Sequence, residues 1–154
     1  MTFRLLHMLA LFWMLAGVGS VVVPIWRAWG TKDLDTRATL LSEAQRNEAG
    51  WLLPGLIATW FTGFGLATAA DWNIVTTGWL LTKEIIFAVD TFIILPLMGV
   101  GLRRVRYLAL QAQKQGAMTE ELQDALHDNV PVVFGTILAV TLPLVAFFAV
   151  VKPF

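Results

Sequence analysis

The chain has 154 residues, 57% hydrophobic and 14% charged, with 11 basic and 11 acidic side chains balancing to zero net charge. A soluble domain carries roughly 25% charged residues, so most of this chain is not built to face water. No cysteine is present, which excludes disulfides, thiolate metal sites and cysteine nucleophiles; two histidines, His7 and His127, exclude a multi-histidine centre; and the charge balance offers no basic face to nucleic acid.

Four apolar runs are long enough to cross about 30 Å of hydrocarbon, which takes roughly 20 residues as helix. Each helix satisfies its own backbone, which is why such runs insert in that form. The first, Phe3 to Trp26, carries Arg4 and His7 near its start. It continues without a polar break to Pro24, too long for a signal-peptide core, and reads as a retained span. Thr36 to Gly50 is rich in helix formers and extends the second span, Trp51 to Ala70, inward. The short stretch Asp71 to Thr77 makes spans two and three an antiparallel hairpin. The third span, Trp79 to Leu102, contains Lys83, Glu84 and Asp90 and continues as helix through Arg103 to Gln115, with Gly116 suited to its C-terminus. Thr119 followed by Glu120 and Glu121 suits a helix N-terminus, and Asn129 with Pro131 opens the fourth span, Val130 to Val151. No internal repeat is legible. The expected fold is all-α: a single domain, residues 1–154, forming an integral membrane four-helix bundle with short helical cytoplasmic extensions.

Charge gives the bundle a direction. Loops one and three hold Arg27, Lys32, Arg37, Arg46, Arg103, Arg104, Arg106 and Lys114, whereas the face bearing both termini holds Arg4 and Lys152. The positive-inside rule then puts loops one and three in the cytoplasm of a bacterium and both termini outside the inner membrane. Trp26, Trp29 and Trp51 mark the inner interface, and Trp72 and Trp79 the outer one.

Ionisable side chains within spans are costly and face a bundle interior or cavity. His7 and Lys83 each lie about one turn in from the outer face; Asp90 lies two turns deeper than Lys83 on the same side of its helix, near mid-membrane; Glu84 points about 100° away from Lys83. The structural reading has Lys83 snorkelling outward, Glu84 at the interface, His7 bonded to a neighbouring helix, and Asp90 bonded to a helix carrying Thr59 or Thr62. The functional reading makes His7 a ligand, because a neutral imidazole is a natural axial donor to heme iron. Lys83 and Arg4 would meet heme propionates, and Trp13, Gly17, Trp60, Gly63 and Gly65 would provide a wall and space for a flat ring. Met14 and Met98 are able to ligate iron, but such methionines are more often core filler. Gly63-Phe64-Gly65 and Gly99-Val100-Gly101 fall in helices and read as packing sites, not phosphate loops.

Leu6-His7 with Trp13 and Ala16-Gly17 resembles the first helix of HemJ-type protoporphyrinogen oxidases and their copper-resistance D-like relatives, and Gly78-Trp79-Leu80 followed by Lys83 resembles the start of their third helix. In the HemJ family that His and Lys are functionally important and heme b is bound, which implies the same roles for His7 and Lys83. This sequence has Pro24-Ile25-Trp26-Arg27 where the HemJ pattern has Pro-Arg-Leu and Tyr-His, and Asp90-Thr91 in the region of a further Tyr and His. A resemblance over nearly the whole chain rests on an amphipathic first loop leading to Pro54 and Thr62-Gly63, on Arg103, Arg104 and Arg106, and on the close Val151-Lys152-Pro153. It resembles the predicted integral membrane family "domain of unknown function 2269", which implies a fold and no reaction.

The leading expectation is an inner-membrane protein binding a redox cofactor, b-type heme, near the outer leaflet through His7, Lys83 and Arg4, with a role in electron transfer or heme handling. Asp90 and Glu84 are the other intramembrane polar groups. The alternatives are a non-enzymatic accessory subunit of a larger membrane complex and a small copper or ion transporter using Asp90 and His7. The expected partners are the lipid bilayer and either a second copy or another membrane subunit.

Overall fold

A computed structural model describes residues 2–152. It contains four long apolar helical units and no strand among the described residues. We number the helices α1 (Thr2–Gly30), α2 (Leu34–Ala69), α3 (Gly78–Gln115), α4 (Glu120–His127) and α5 (Val130–Val151). The short α4 leads directly into α5, so that Glu120–Val151 forms the fourth long unit. Both expected extensions are present: α2 and α3 each continue well beyond the apolar run on the face opposite the termini.

The local chemistry of the helix ends matches the sequence. Asp33 caps α2 by accepting from the Thr36 backbone N–H at 2.8 Å, and Thr119 caps α4 by accepting from Leu122 N–H at 3.3 Å. Gly116 ends α3 at φ +69, a conformation that favours glycine. Asn129 separates α4 from α5 at φ 51, which a short polar side chain tolerates. The turn from α1 to α2 is held by Arg37, whose buried guanidinium donates from Nε to Ala28 O at 3.0 Å and from Nη2 to Thr31 O. Those carbonyls lie at the end of α1, where helical partners run out and the dipole favours a cation.

Two wide turns interrupt α2 and α3, and the sequence did not reveal that they are alike. Leu53 N–H donates to Glu48 O, and Leu95 N–H donates to Asp90 O, each one residue further back than in an α-helix. In both, a buried acid opens the turn and a proline, Pro54 or Pro96, follows it. A proline inside a regular helix loses one bond and clashes with a carbonyl one turn back; a π turn at that place relieves the crowding. Pro24 and Pro143, by contrast, sit within uninterrupted helix.

Two glycines set the register of α1 against α2. A Cβ on Gly17 would lie 2.8 Å from Leu52 Cα, and one on Gly55 would lie 2.9 Å from Met14 Cα. The two backbones therefore touch at both points, as small residues permit in membrane bundles. The helices are antiparallel, so two turns beyond the Met14–Gly55 contact His7 meets Thr62.

At the face opposite the termini the first part of α2 packs directly on the last part of α3. Here sits the bulk of the core, with Ile25, Leu41, Met98, Leu102, Ala109 and Leu122 fully buried. Towards the termini the apolar part of α2 and the start of α3 stand apart, and Trp60 fills part of the gap. Its ring lies 5.0 Å from Phe87 and its Nε1 donates to Thr91 Oγ1 at 3.2 Å. That separation creates the cavity described next.

Candidate ligand site at the terminal face

All four membrane helices and the α2–α3 loop line a vestibule of about 290 Å³ that opens at the terminal face. Arg4 and His7 come from α1, Gly63 and Leu66 from α2, Trp79 and Lys83 from α3, and Lys152 from the end of α5. Below it, and sharing His7, Gly63 and Lys83, is a chamber of about 20 Å³, room for roughly one water molecule. Leu11, Met14, Trp60 and Phe87 close the chamber from beneath. The sequence placed His7 and Lys83 at one depth, and they do line the same cavities.

The contacts of His7 favour one tautomer. Its Nδ1 is 3.0 Å from Thr62 Oγ1, and Thr62 Oγ1 donates its single proton to Ala58 O at 2.7 Å. The hydroxyl must then accept from Nδ1–H, which leaves the lone pair on Nε2. No hydrogen bond occupies Nε2 among the described residues. An imidazole anchored through one nitrogen with the other free is the arrangement that metal-binding histidines use. Gly63 makes room for the ring: a Cβ there would approach His7 Cε1 to 3.2 Å.

Lys83 and Glu84 differ from expectation. Lys83 does not snorkel to lipid; it is buried and its Nζ lies 2.8 Å from Glu84 Oε1. Neighbouring positions on a helix diverge by about 100° at Cβ, but these long side chains bend back to one another and pair their opposite charges. Lys152, which entered the sequence reading through charge counting and the closing motif, rests its Nζ 4.6 Å from the centre of the Trp72 ring and 5.3 Å from that of Trp79. The two indoles meet edge to face at 5.4 Å. Trp79 is accordingly buried in the vestibule wall and is not only a membrane-surface marker. Proximity of Lys152 and Trp79 is a tertiary fact with no signal in either local sequence.

Of the expected wall, Trp60 and Gly63 reach the cavities, whereas the others serve elsewhere. Trp13 is 40% exposed on the outside of the bundle, Gly17 packs on Leu52, and Gly65 accommodates Phe3. Asp90 is buried outside both cavities, and its partner is not the one expected. Thr62 is engaged with His7, and Thr59 donates to Gly55 O at 2.8 Å. The Asp90 carboxyl faces Thr141 of α5 instead, and its Oδ2 has no hydrogen-bond partner among the described residues. The π turn that begins at Asp90 rotates it away from α2 and towards α5. The sequence analysis missed Glu48, a second buried acid. Its carboxyl sits where a Cβ on Gly99 would stand, with Oε2 3.8 Å from Arg103 Nη1. His127 lies far from the vestibule and bonds to Gln123 O at 3.0 Å.

Among the described residues no three His, Asp or Glu side chains converge as a metal site. The geometry offers one free imidazole nitrogen, three cations and two indoles around a cavity near the lower end of small-molecule pocket volumes. Comparison with curated proteins gives no match, and neither does comparison with solved structures. A family model described as "Predicted integral membrane protein (DUF2269)" matches residues 1–153, which include Val151, Lys152 and Pro153 of the closing motif, Pro153 lying outside the described residues. The chain therefore belongs to the family of integral membrane proteins called domain of unknown function 2269.

Proposed function

We propose that this protein binds b-type heme at the vestibule and serves in electron transfer or heme handling at the outer face of a bacterial inner membrane. The observation that carries the reading is the anchored imidazole: Thr62 holds Nδ1–H and leaves His7 Nε2 as the donor. Arg4 and Lys83 supply cations for propionate groups. The donor set fits heme held from the vestibule and not heme sunk between the helices, since the chamber beneath has room for about one water. When bound, the iron supplies one-electron chemistry. The chain's own contribution is to orient the imidazole, neutralise the carboxylates and exclude water with Trp60, Phe87 and Met14. The electron partner in this reading is a second copy or another membrane subunit. The excess of arginine and lysine in loops one and three supports termini that face outward.

Expression with ample heme precursor should yield protein with a Soret band, and His7→Ala should lose it. Purified protein with no Soret absorbance, and none acquired on titration with hemin, would remove the proposal.

A further inference from the structure

Interfacial lysines and arginines ordinarily reach outward from a bundle's perimeter. Here Arg4, Lys83 and Lys152 come from three different helices and line one open cavity. Among the described residues lining it and the chamber beneath, Glu84 is the single carboxylate, and it is paired with Lys83. The cavity is left with an excess of positive charge. Its lining also has apolar members, Leu66 and Ala67 of α2 and Ala149 of α5, and Met8 of α1, which belongs to the same lining, is exposed at the surface of the bundle. A cavity lined by three cations and several apolar side chains, one of them exposed at the bundle surface, matches a charged headgroup attached to an apolar chain.

We propose that the vestibule binds the headgroup of an acidic phospholipid of the surrounding leaflet. The phosphate lies among Arg4, Lys83 and Lys152, and the acyl region runs along Leu66 and Met8. Lys152 is the adaptable member. Its ammonium rests on the indoles of Trp72 and Trp79, and a phosphate offers it a charge-assisted hydrogen bond, stronger than an exposed cation–π contact. Lipid binding therefore draws Lys152 off the rings and changes their environment. The inference goes beyond the heme reading, requires no metal at His7, and makes the lipid a competitor of heme for Arg4 and Lys83.

The test uses the full chain, prepared free of heme, in phosphatidylcholine nanodiscs with increasing phosphatidylglycerol. Native mass spectrometry reads retained lipid, and tryptophan emission reads Trp72 and Trp79 as the difference between wild type and Lys152→Gln. Wild type should retain phosphatidylglycerol preferentially. Arg4→Gln and Lys152→Gln, both at exposed positions that the fold does not need, should weaken retention about fivefold each and roughly thirtyfold together. Equal retention by wild type and the double variant, or no preference over phosphatidylcholine, would overturn the proposal. So would an emission change produced by inorganic phosphate in pure phosphatidylcholine discs and not by phosphatidylglycerol, because the site would then take a free anion. A missing Soret band leaves this measurement untouched, since no heme is present in it.

Discussion

The two ends of the bundle are built on different plans. At the end opposite the termini, α2 and α3 close on each other, the core is fully buried, and polar groups are spent on holding helices together. Arg37 ties off α1, Glu48 fits against Gly99, and Arg104 bonds Asp128 at 3.1 Å. At the terminal end the same two helices separate, and the polar groups surround empty space. A buried charge answered by packed partners is architecture; a charge lining a cavity is available to a ligand. The contrast separates a packed end of the bundle from an end that holds the cavity.

The largest effects should come from the contact that couples the ends. Gly17→Ala and Gly55→Ala each press a methyl into a facing backbone that cannot yield alone, and each should cost about 1–3 kcal/mol in detergent unfolding. Gly19→Ala is the control: nothing lies within 4 Å of its added Cβ, so it should be neutral or raise stability by about 0.5–1 kcal/mol. If Gly17→Ala behaves like Gly19→Ala, the register argument for His7 and Thr62 fails.

Arg37→Leu probes the scaffold end alone. It strips the Ala28 and Thr31 carbonyls of a donor and should cost about 1–3 kcal/mol, read by the same unfolding measurement. Heme or lipid retention by the folded fraction should be unchanged, because the vestibule is at the other end.

Thr62→Val probes the site end alone. The shape is kept and the acceptor for Nδ1–H is lost, so heme affinity should fall about 10–100-fold in hemin titration. Stability should change by only about 1 kcal/mol, the net value of one hydrogen bond. Loss of stability without loss of affinity would mark His7 as a packing residue.

The smallest effect belongs to an exposed cap. Hydrogen bonds from the Thr36 side chain, and then from its backbone, hold the Asp33 carboxyl below the ordinary aspartate range. A carboxyl with a depressed folded pKa stabilises fully above its unfolded pKa, and that stabilisation is lost as pH falls through the lower folded value. Thermal unfolding followed through the acid range should show this loss in wild type, and Asp33→Asn should flatten it.

Much of the architecture was legible because it is local. Thr119, Gly116 and Pro131 act on the backbone next to them, so their roles can be read one turn at a time. The site was legible in part. His7 and Lys83 were found because charge within an apolar run is conspicuous, and counting turns gives depth. Lys152 escaped notice because it lies at a helix end, where a lysine is ordinary, and Glu48 because it lies in a polar stretch. Glu84 and Asp90 were misdirected for a single reason: helical geometry predicts where Cβ points, not where a long side chain or a π turn then carries the charge.

Composition and periodicity by themselves pointed to four helices long and apolar enough to cross a membrane and running in alternating directions, since apolar length against bilayer thickness decides that. Only the tertiary structure decided which groups meet. Two glycines slide α1 along α2 until His7 reaches Thr62, and the parting of α2 from α3 opens the vestibule. Both depend on how closely backbones from distant parts of the chain approach, and no single helix carries that information.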